Sequence, residues 1–308
     1  MKSRQTNTIN QKAYIAALTF AAALLTATTS RADTVYAGIL GNNTIVEFTP
    51  AGVGSVFANS GLYYPYGLAF DNAGNLYAAN FGNNGNSYIM KFTPSGVGSL
   101  FANTGLYCTA GLAFDNAGNL YAANNNGNNT IVKFTPDGFG SVFANTGLNN
   151  PSGLTFDSAG NLYVANEGDN TIAKFTPGGV GSVFANTGLN NPWGLAFDGE
   201  GNLFAANANA DTIEKFSPTG TDLGVFAHTG FNSSPEGLAF DSAGNLYVAK
   251  NGDHTIWKFT PGGAGSLFAD VGVPSLTFIA IQPEIVPEPS TCALFGLGLP
   301  LLLAIRRR

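Results

Sequence analysis

The sequence predicts an all-β fold, a six-bladed β-propeller with four antiparallel strands per blade, and three observations lead there. A core motif, Gly-Leu-x-Phe-Asp, begins at Gly67, Gly111, Gly153, Gly194 and Gly237, spaced 44, 42, 41 and 43 residues apart. Such a period marks one supersecondary unit repeated along the chain. Each copy continues through a turn into Gly-Asn-Leu-Tyr or Gly-Asn-Leu-Phe, then a run such as Thr130 to Phe134 and another such as Ser141 to Ala144. Four short runs per repeat is the strand content of a propeller blade. Composition agrees, because 40 glycines and only 10% charged residues beside 44% hydrophobic ones suit strands and turns around a substantial core.

The elements follow in order. The Asp-x-x-Gly-Asn segment after each first strand, as at Asp71 to Asn75 and Asp157 to Asn161, is a tight turn. Its Asp accepts hydrogen bonds from the turn backbone and its Gly takes a positive φ. A set of calcium loops is the poorer reading, since that ion takes about six to eight oxygen ligands and each blade supplies one Asp. The chain ends supply the sixth blade. Val35 to Gly38, Thr44 to Phe48 and Ser55 to Ala58 match strands two, three and four with no first strand before them, and Leu276 to Ile281, after Pro274, matches the missing one. The end of the chain is expected to pair with its beginning and close the ring, which limits exposed sheet edges.

Charge is segregated. Between Asp33 and Ile285 there are six lysines, no arginine and 18 acidic residues, a net of -12, while Lys2, Arg4, Lys12 and Arg31 precede that body and Arg306, Arg307 and Arg308 follow it. An acidic body repels phosphate backbones, so nucleic acid is not an expected partner. The body holds one cysteine, Cys108, which rules out an internal disulfide framework and a cysteine-rich zinc site there. We expect no cofactor and no metal site.

Both ends read as addresses. Basic residues precede an apolar run from Ala13 to Ala27, and Ser30 and Ala32 then stand two apart, the pattern of a secretory signal cleaved after Ala32. At the other end Val286-Pro287-Glu288-Pro289-Ser290 precedes an apolar run from Thr291 to Ile305 and the three arginines. This order resembles the PEP-CTERM sorting tail of Gram-negative bacteria. The resemblance implies export to the cell envelope or beyond, transient membrane contact through the tail, and an exosortase-type protease acting at Pro287, Glu288 and Pro289. Its run is short for a spanning helix, and the terminal arginines favour the cytoplasmic side. The expected organisation is residues 1–32 signal, 33–285 propeller and 286–308 sorting tail.

The repeat itself resembles the NHL family of propellers, in cores such as Gly-Leu-Ala-Phe-Asp at Gly194 and Gly-Asn-Leu-Tyr-Val-Ala at Gly160. The resemblance implies the fold and leaves function open. Related propellers include gluconolactonase-like hydrolases and lyases, while many members are binding scaffolds. No catalytic set carries over residue by residue. His228 and His254 are the only imidazoles, and an acid-base pairing of one of them with Glu236 or Asp253 stays open.

In a four-strand meander the blade junctions and the loops between second and third strands emerge on one face. There the candidate ligand residues are Tyr66, Trp193 and Glu236, which share one repeat position, with Asn80, Asn124, Asn166, Asn207 and His254 from the loops. Aromatic rings beside amides suit a sugar or peptide. The sequence therefore favours a binding or matrix-interaction module, with a gluconolactonase-like hydrolase or propeller lyase as the alternative.

Overall fold

The computed structural model describes residues 33–82, 86–272 and 275–282. The expected signal, with its cleavage point at Ala32, and the expected sorting tail lie outside the described residues. Among those described, 24 strands form six antiparallel sheets of four. Five sheets are continuous in sequence, their innermost strands being Pro65–Phe70 in blade 2, Thr109–Phe114 in blade 3, Pro151–Phe156 in blade 4, Pro192–Phe197 in blade 5 and Pro235–Phe240 in blade 6. Blade 1 is composite. Its innermost strand is Leu276–Gln282, followed outward by Thr34–Ile39, Thr44–Phe48 and Gly54–Ala58. Val35 pairs with Ile281 and Ala37 with Ile279, so the ring closes by hydrogen bonding between the two ends of the domain.

The core lies between blades. Every second strand is buried along its length, and its period-two alternation divides it between two neighbours. In blade 2, Leu76 and Ala78 pack with Tyr36 and Ala280 of blade 1, whereas Tyr77 and Ala79 pack with Leu112 and Leu120 of blade 3. The Tyr77 ring meets Phe101 edge-on at 5.0 Å and Phe114 of the next blade at 4.9 Å. Tyr121, Tyr163 and Phe204 repeat the arrangement. Each such pair adds about 0.5–1.5 kcal/mol beyond its buried area.

On the face opposite the junctions, the Asp turns form a repeated polar cluster. Asp157 Oδ1 accepts from the backbone N–H of Ala159 at 3.0 Å and of Asn161 at 2.8 Å. Its Oδ2 accepts from Asn161 Nδ2 and the Tyr163 hydroxyl, with Lys174 Nζ at 3.8 Å. Burial works against the charge on Asp157, yet these hydrogen bonds hold its carboxyl below the usual range. Lys91, Lys133, Lys215 and Lys258 make the same ion pair in their blades.

Candidate functional site

A β-bulge at the start of each innermost strand builds the channel mouth. In blade 2, Pro65 pairs with Asn80 and Leu68 with Ala78, so Tyr66 and Gly67 together oppose one residue. Blades 3, 4 and 5 shift register between the same positions, and blade 6 between Pro235 and Gly237. In blade 1 the shift leaves Thr277 and Phe278 unpaired between Leu276 and Ile279. Bulges re-aim side chains that a regular ladder would bury between strands.

The first bulge residues form a ring of Tyr66, Ala110, Ser152, Trp193, Glu236 and Thr277. The second bulge residue is glycine in five blades for a steric reason. A Cβ on Gly67 would overlap the carbonyl oxygen of Ala110, and Gly111, Gly153, Gly194 and Gly237 stand in the same relation to the next blade. Ser152 Oγ donates to Trp193 O at 3.3 Å, and Thr277 Oγ1 to Tyr66 O at 3.3 Å. Blade 1 departs from the rule with Phe278, which is 9% exposed. Its ring lies 6.1 Å from Tyr66 and 6.4 Å from Trp193, and Tyr66 lies 5.7 Å from Trp193. Three aromatic rings from blades 1, 2 and 5 thus meet on the channel axis.

A second tier comes from the residue after each second strand: Leu40, Phe81, Asn125, Glu167, Ala208 and Asn251. Each is fixed by its backbone N–H, which donates to the left-handed residue of the adjoining junction, as Glu167 does to Asn150 O at 3.2 Å and Asn251 to Ser234 O at 3.0 Å. Phe81 packs on Tyr66 at 5.1 Å. The amides hold the acids. Asn251 Nδ2 donates to Glu236 Oε1 at 2.7 Å, and Asn125 Nδ2 to Glu167 Oε1 at 2.8 Å. Glu236 is 5% exposed, and its Oε2 is buried with no hydrogen-bond partner among the described residues.

Electrostatics follow from this burial. Desolvation pushes the Glu236 carboxyl up to about 7, against the Asn251 hydrogen bond and with help from the charge of Glu167. Burial likewise raises Glu167 to about 7, opposed by Asn125. The Tyr66 phenol is driven far up by burial, and by the two carboxylates after it. A carboxyl of this kind exists in both protonation states at neutral pH, which suits it to exchanging a proton or meeting a charge.

The structure brings together Tyr66, Trp193 and Glu236 and separates them from the other candidates. Asn80, Asn124, Asn166 and Asn207 are 0–2% exposed, and their amides are consumed by the junctions. Their Oδ1 atoms accept from the backbone N–H of Tyr63, Tyr107, Asn149 and Asn190 at 2.7–3.2 Å. These four asparagines are tied into the scaffold, because a junction N–H needs a partner and the end of the same blade's second strand supplies one. Lys250 takes their position in blade 6, 2.6 Å from Asp253 and over the Trp257 ring. His254, with a φ of 60°, stands in the left-handed loop position that Asn43, Asn129, Asn170 and Asp211 fill elsewhere. Those four accept from the next junction's backbone; His254 shares their backbone conformation, while its Nδ1 is buried with no hydrogen-bond partner among the described residues. Glu236 is paired with Asn251, and His228 is exposed at the end of an outer strand.

The sequence reading missed Phe278, Phe81, Asn125 and Asn251. A signal existed for Phe278, which falls at the repeat's glycine. For the other three it was the variability of the residue after the second strand, visible once the bulge is known. Among the described residues no group of three or more His, Cys, Asp or Glu is placed to hold a metal ion.

Residues 148–175 and 232–259 match the model of the NHL repeat, from the junction through the third strand in blades 4 and 6. No curated protein is significantly similar to the chain in sequence. Among solved structures, one from a nidogen/laminin complex aligns with a TM-score of 0.71 at 21% identity, covering 81% of this chain and 97% of its own. A structure described as a putative gluconolactonase gives 0.61 at 18% identity over 74% and 84%. Virginiamycin B lyase from Staphylococcus aureus gives 0.54 at 15% identity over 72% and 85%. At these identities the likeness is one of fold.

Proposed function

We propose that this chain is an exported binding module, sorted to the cell envelope of a Gram-negative bacterium through its C-terminal segment, that takes its ligand at the channel mouth on the junction face. The observation behind this reading is the meeting of Tyr66, Trp193 and Phe278 beside the Glu236–Asn251 and Glu167–Asn125 pairs. The fold is satisfied by a small side chain at the first bulge position, as Ala110 and Ser152 show. The large aromatic and acidic residues there serve something besides packing. Rings with a polar rim are the usual furniture of a ligand site. The nidogen/laminin structure gives a precedent for the fold in a complex between proteins.

The test is a glycan and peptide binding screen on residues 33–285. Binding of a hit should be lost in Trp193→Ala and Tyr66→Ala, and a hit indifferent to both overturns the assignment. Export and sorting are checked by intact mass, with an N-terminus at Asp33 and loss of the arginine tail near Pro287-Glu288-Pro289. Recovery of envelope protein ending in Arg308 counts against sorting.

A second reading rests on Glu236 and Glu167, two carboxyls raised to about 7 in one mouth. Such groups serve as general acid and base, and structures described as a putative gluconolactonase and as virginiamycin B lyase share the fold. Turnover of gluconolactone or of virginiamycin B that Glu236→Gln abolishes would favour the enzyme.

A further inference from the structure

We propose that the channel mouth is a subsite for an organic cation, binding a primary ammonium group against Glu236 and Glu167 with its apolar portion on Trp193 and Tyr66. This rests on the reading of the mouth as a ligand site and specifies the chemistry of the ligand. Four observations support it. First, the free Glu236 Oε2 is a buried acceptor without a donor, and a buried polar atom left so is costly unless something arrives to fill it.

Second, the mouth is divided by chemistry. Glu167 and Glu236 belong to blades 4 and 6, and Trp193 belongs to blade 5 between them, so the blade that supplies the aromatic ring is flanked by the blades that supply the acids. An ammonium group is attracted both by a carboxylate and by the face of an aromatic ring.

Third, among the described residues every lysine already has a carboxylate partner. The body has six lysines. Lys91, Lys133, Lys174, Lys215 and Lys258 are spent on the Asp turns, and Lys250 on Asp253. The net charge of -12 on the body draws cations toward it.

Fourth, the donor set discriminates among cations. Calcium takes about six to eight oxygen ligands. Here two carboxyls, each with one oxygen already held by an amide, sit beside aromatic carbon. A primary ammonium, which brings its own N–H donors to a free carboxylate oxygen and carries an apolar stem for the rings, is better matched to that surface than a hard metal ion.

The experiment uses benzylamine, protonated at pH 7.5, and its neutral isostere benzyl alcohol, titrated into residues 33–285 carrying Trp257→Phe. Trp193 is then the only tryptophan, and its fluorescence reports the mouth. A fragment of this size should bind with a Kd on the order of 1 mM. Benzylammonium should bind at least tenfold more tightly than benzyl alcohol, and Glu236→Gln should remove that preference while keeping a single cooperative transition at a melting temperature no lower than the parent's. Glu167→Gln should reduce it severalfold. Equal binding of the two probes, preference unchanged in Glu236→Gln, or displacement of benzylammonium by equimolar calcium overturns the proposal. If benzylammonium leaves Trp193 unchanged while a glycan or peptide hit still requires Trp193, the cation subsite fails and the ligand face stands. If the hits also ignore Trp193, both fail.

Discussion

The ring of Trp193 lies 5.7 Å from that of Tyr66, although the two belong to blades 5 and 2, on opposite sides of the channel. Contact across the axis means that the mouth is floored by aromatic side chains, with Phe278 as the third. Because Phe278 stands where five blades have glycine, this floor depends on blade 1, the one assembled from both ends of the domain.

That dependence gives a first prediction. Phe278→Ala removes a nearly buried ring and should cost about 3 kcal/mol, read as a lower urea midpoint at unchanged slope. It should also quench or shift Trp193 emission in the Trp257→Phe background. An unchanged spectrum would mean the three rings do not meet in solution.

The same position predicts the opposite outcome one blade away. Gly153→Ala drives a methyl into the Trp193 carbonyl, so the innermost strands of blades 4 and 5 must separate. Destabilisation of more than about 2 kcal/mol is expected. A melting temperature within 1 or 2 °C of the parent, against the ~2–4 °C expected per kcal/mol, would show that the spacing is looser than described.

Closure predicts cooperativity. Leu276 and Ile279 are buried with Val35, Ala37 and Ile39 of the first strand and with Tyr247 and Ala249 of blade 6. Ending the chain before Leu276 should therefore lower the stability of the whole ring and keep a single transition. Differential scanning calorimetry decides it, and an unchanged melting temperature would remove closure from the account.

How much of this the sequence disclosed depends on what repeats. The Gly-Leu-x-Phe-Asp period and the Asp-x-x-Gly-Asn turns recur because every blade meets the same packing problem, so fold, strand count and closure were legible. Asn124 and Asn166 misled for the same reason. They recur because each junction needs its N–H satisfied, and a polar residue in a loop region reads as exposed until the hydrogen bond is seen. Tyr66, Trp193 and Glu236 stood out by breaking the repeat. Phe278 broke it too, but inside a strand identified by its closure role alone. The pairing of Asn251 with Glu236 spans two strands and depends on a bulge that the apolar pattern does not encode.

The buried acids predict an acidic stability optimum. Burial raises Glu167, Glu236 and Glu214 to about 7 each, the last helped by the hydrogen bond its protonated form donates to Asp222 and by the negative charge of that group. A carboxyl raised on folding binds its proton more tightly in the native state, so its contribution is fully present below the unfolded value near 4.5 and falls until about pH 7. The turn aspartates act in the other direction. Asp71, Asp115, Asp157 and Asp241 are half-buried, which works against their charge, but hydrogen bonds from their Asn partners lower them, so their stabilisation is present above about pH 4 and lost below it. Stability should then peak between about pH 4 and 5 and decline toward pH 8. With ~1.4 kcal/mol at stake for each tenfold change in proton affinity, the melting temperature should fall by more than about 5 °C between pH 5 and 8. Glu214→Gln and Glu236→Gln together should remove most of that fall, since both side chains are at least 95% buried and glutamine keeps their shape without the charge. A melting temperature flat from pH 5 to 8 in the parent would show that these carboxyls ionise freely. It would also deprive the channel mouth of the buried acid on which its chemistry rests.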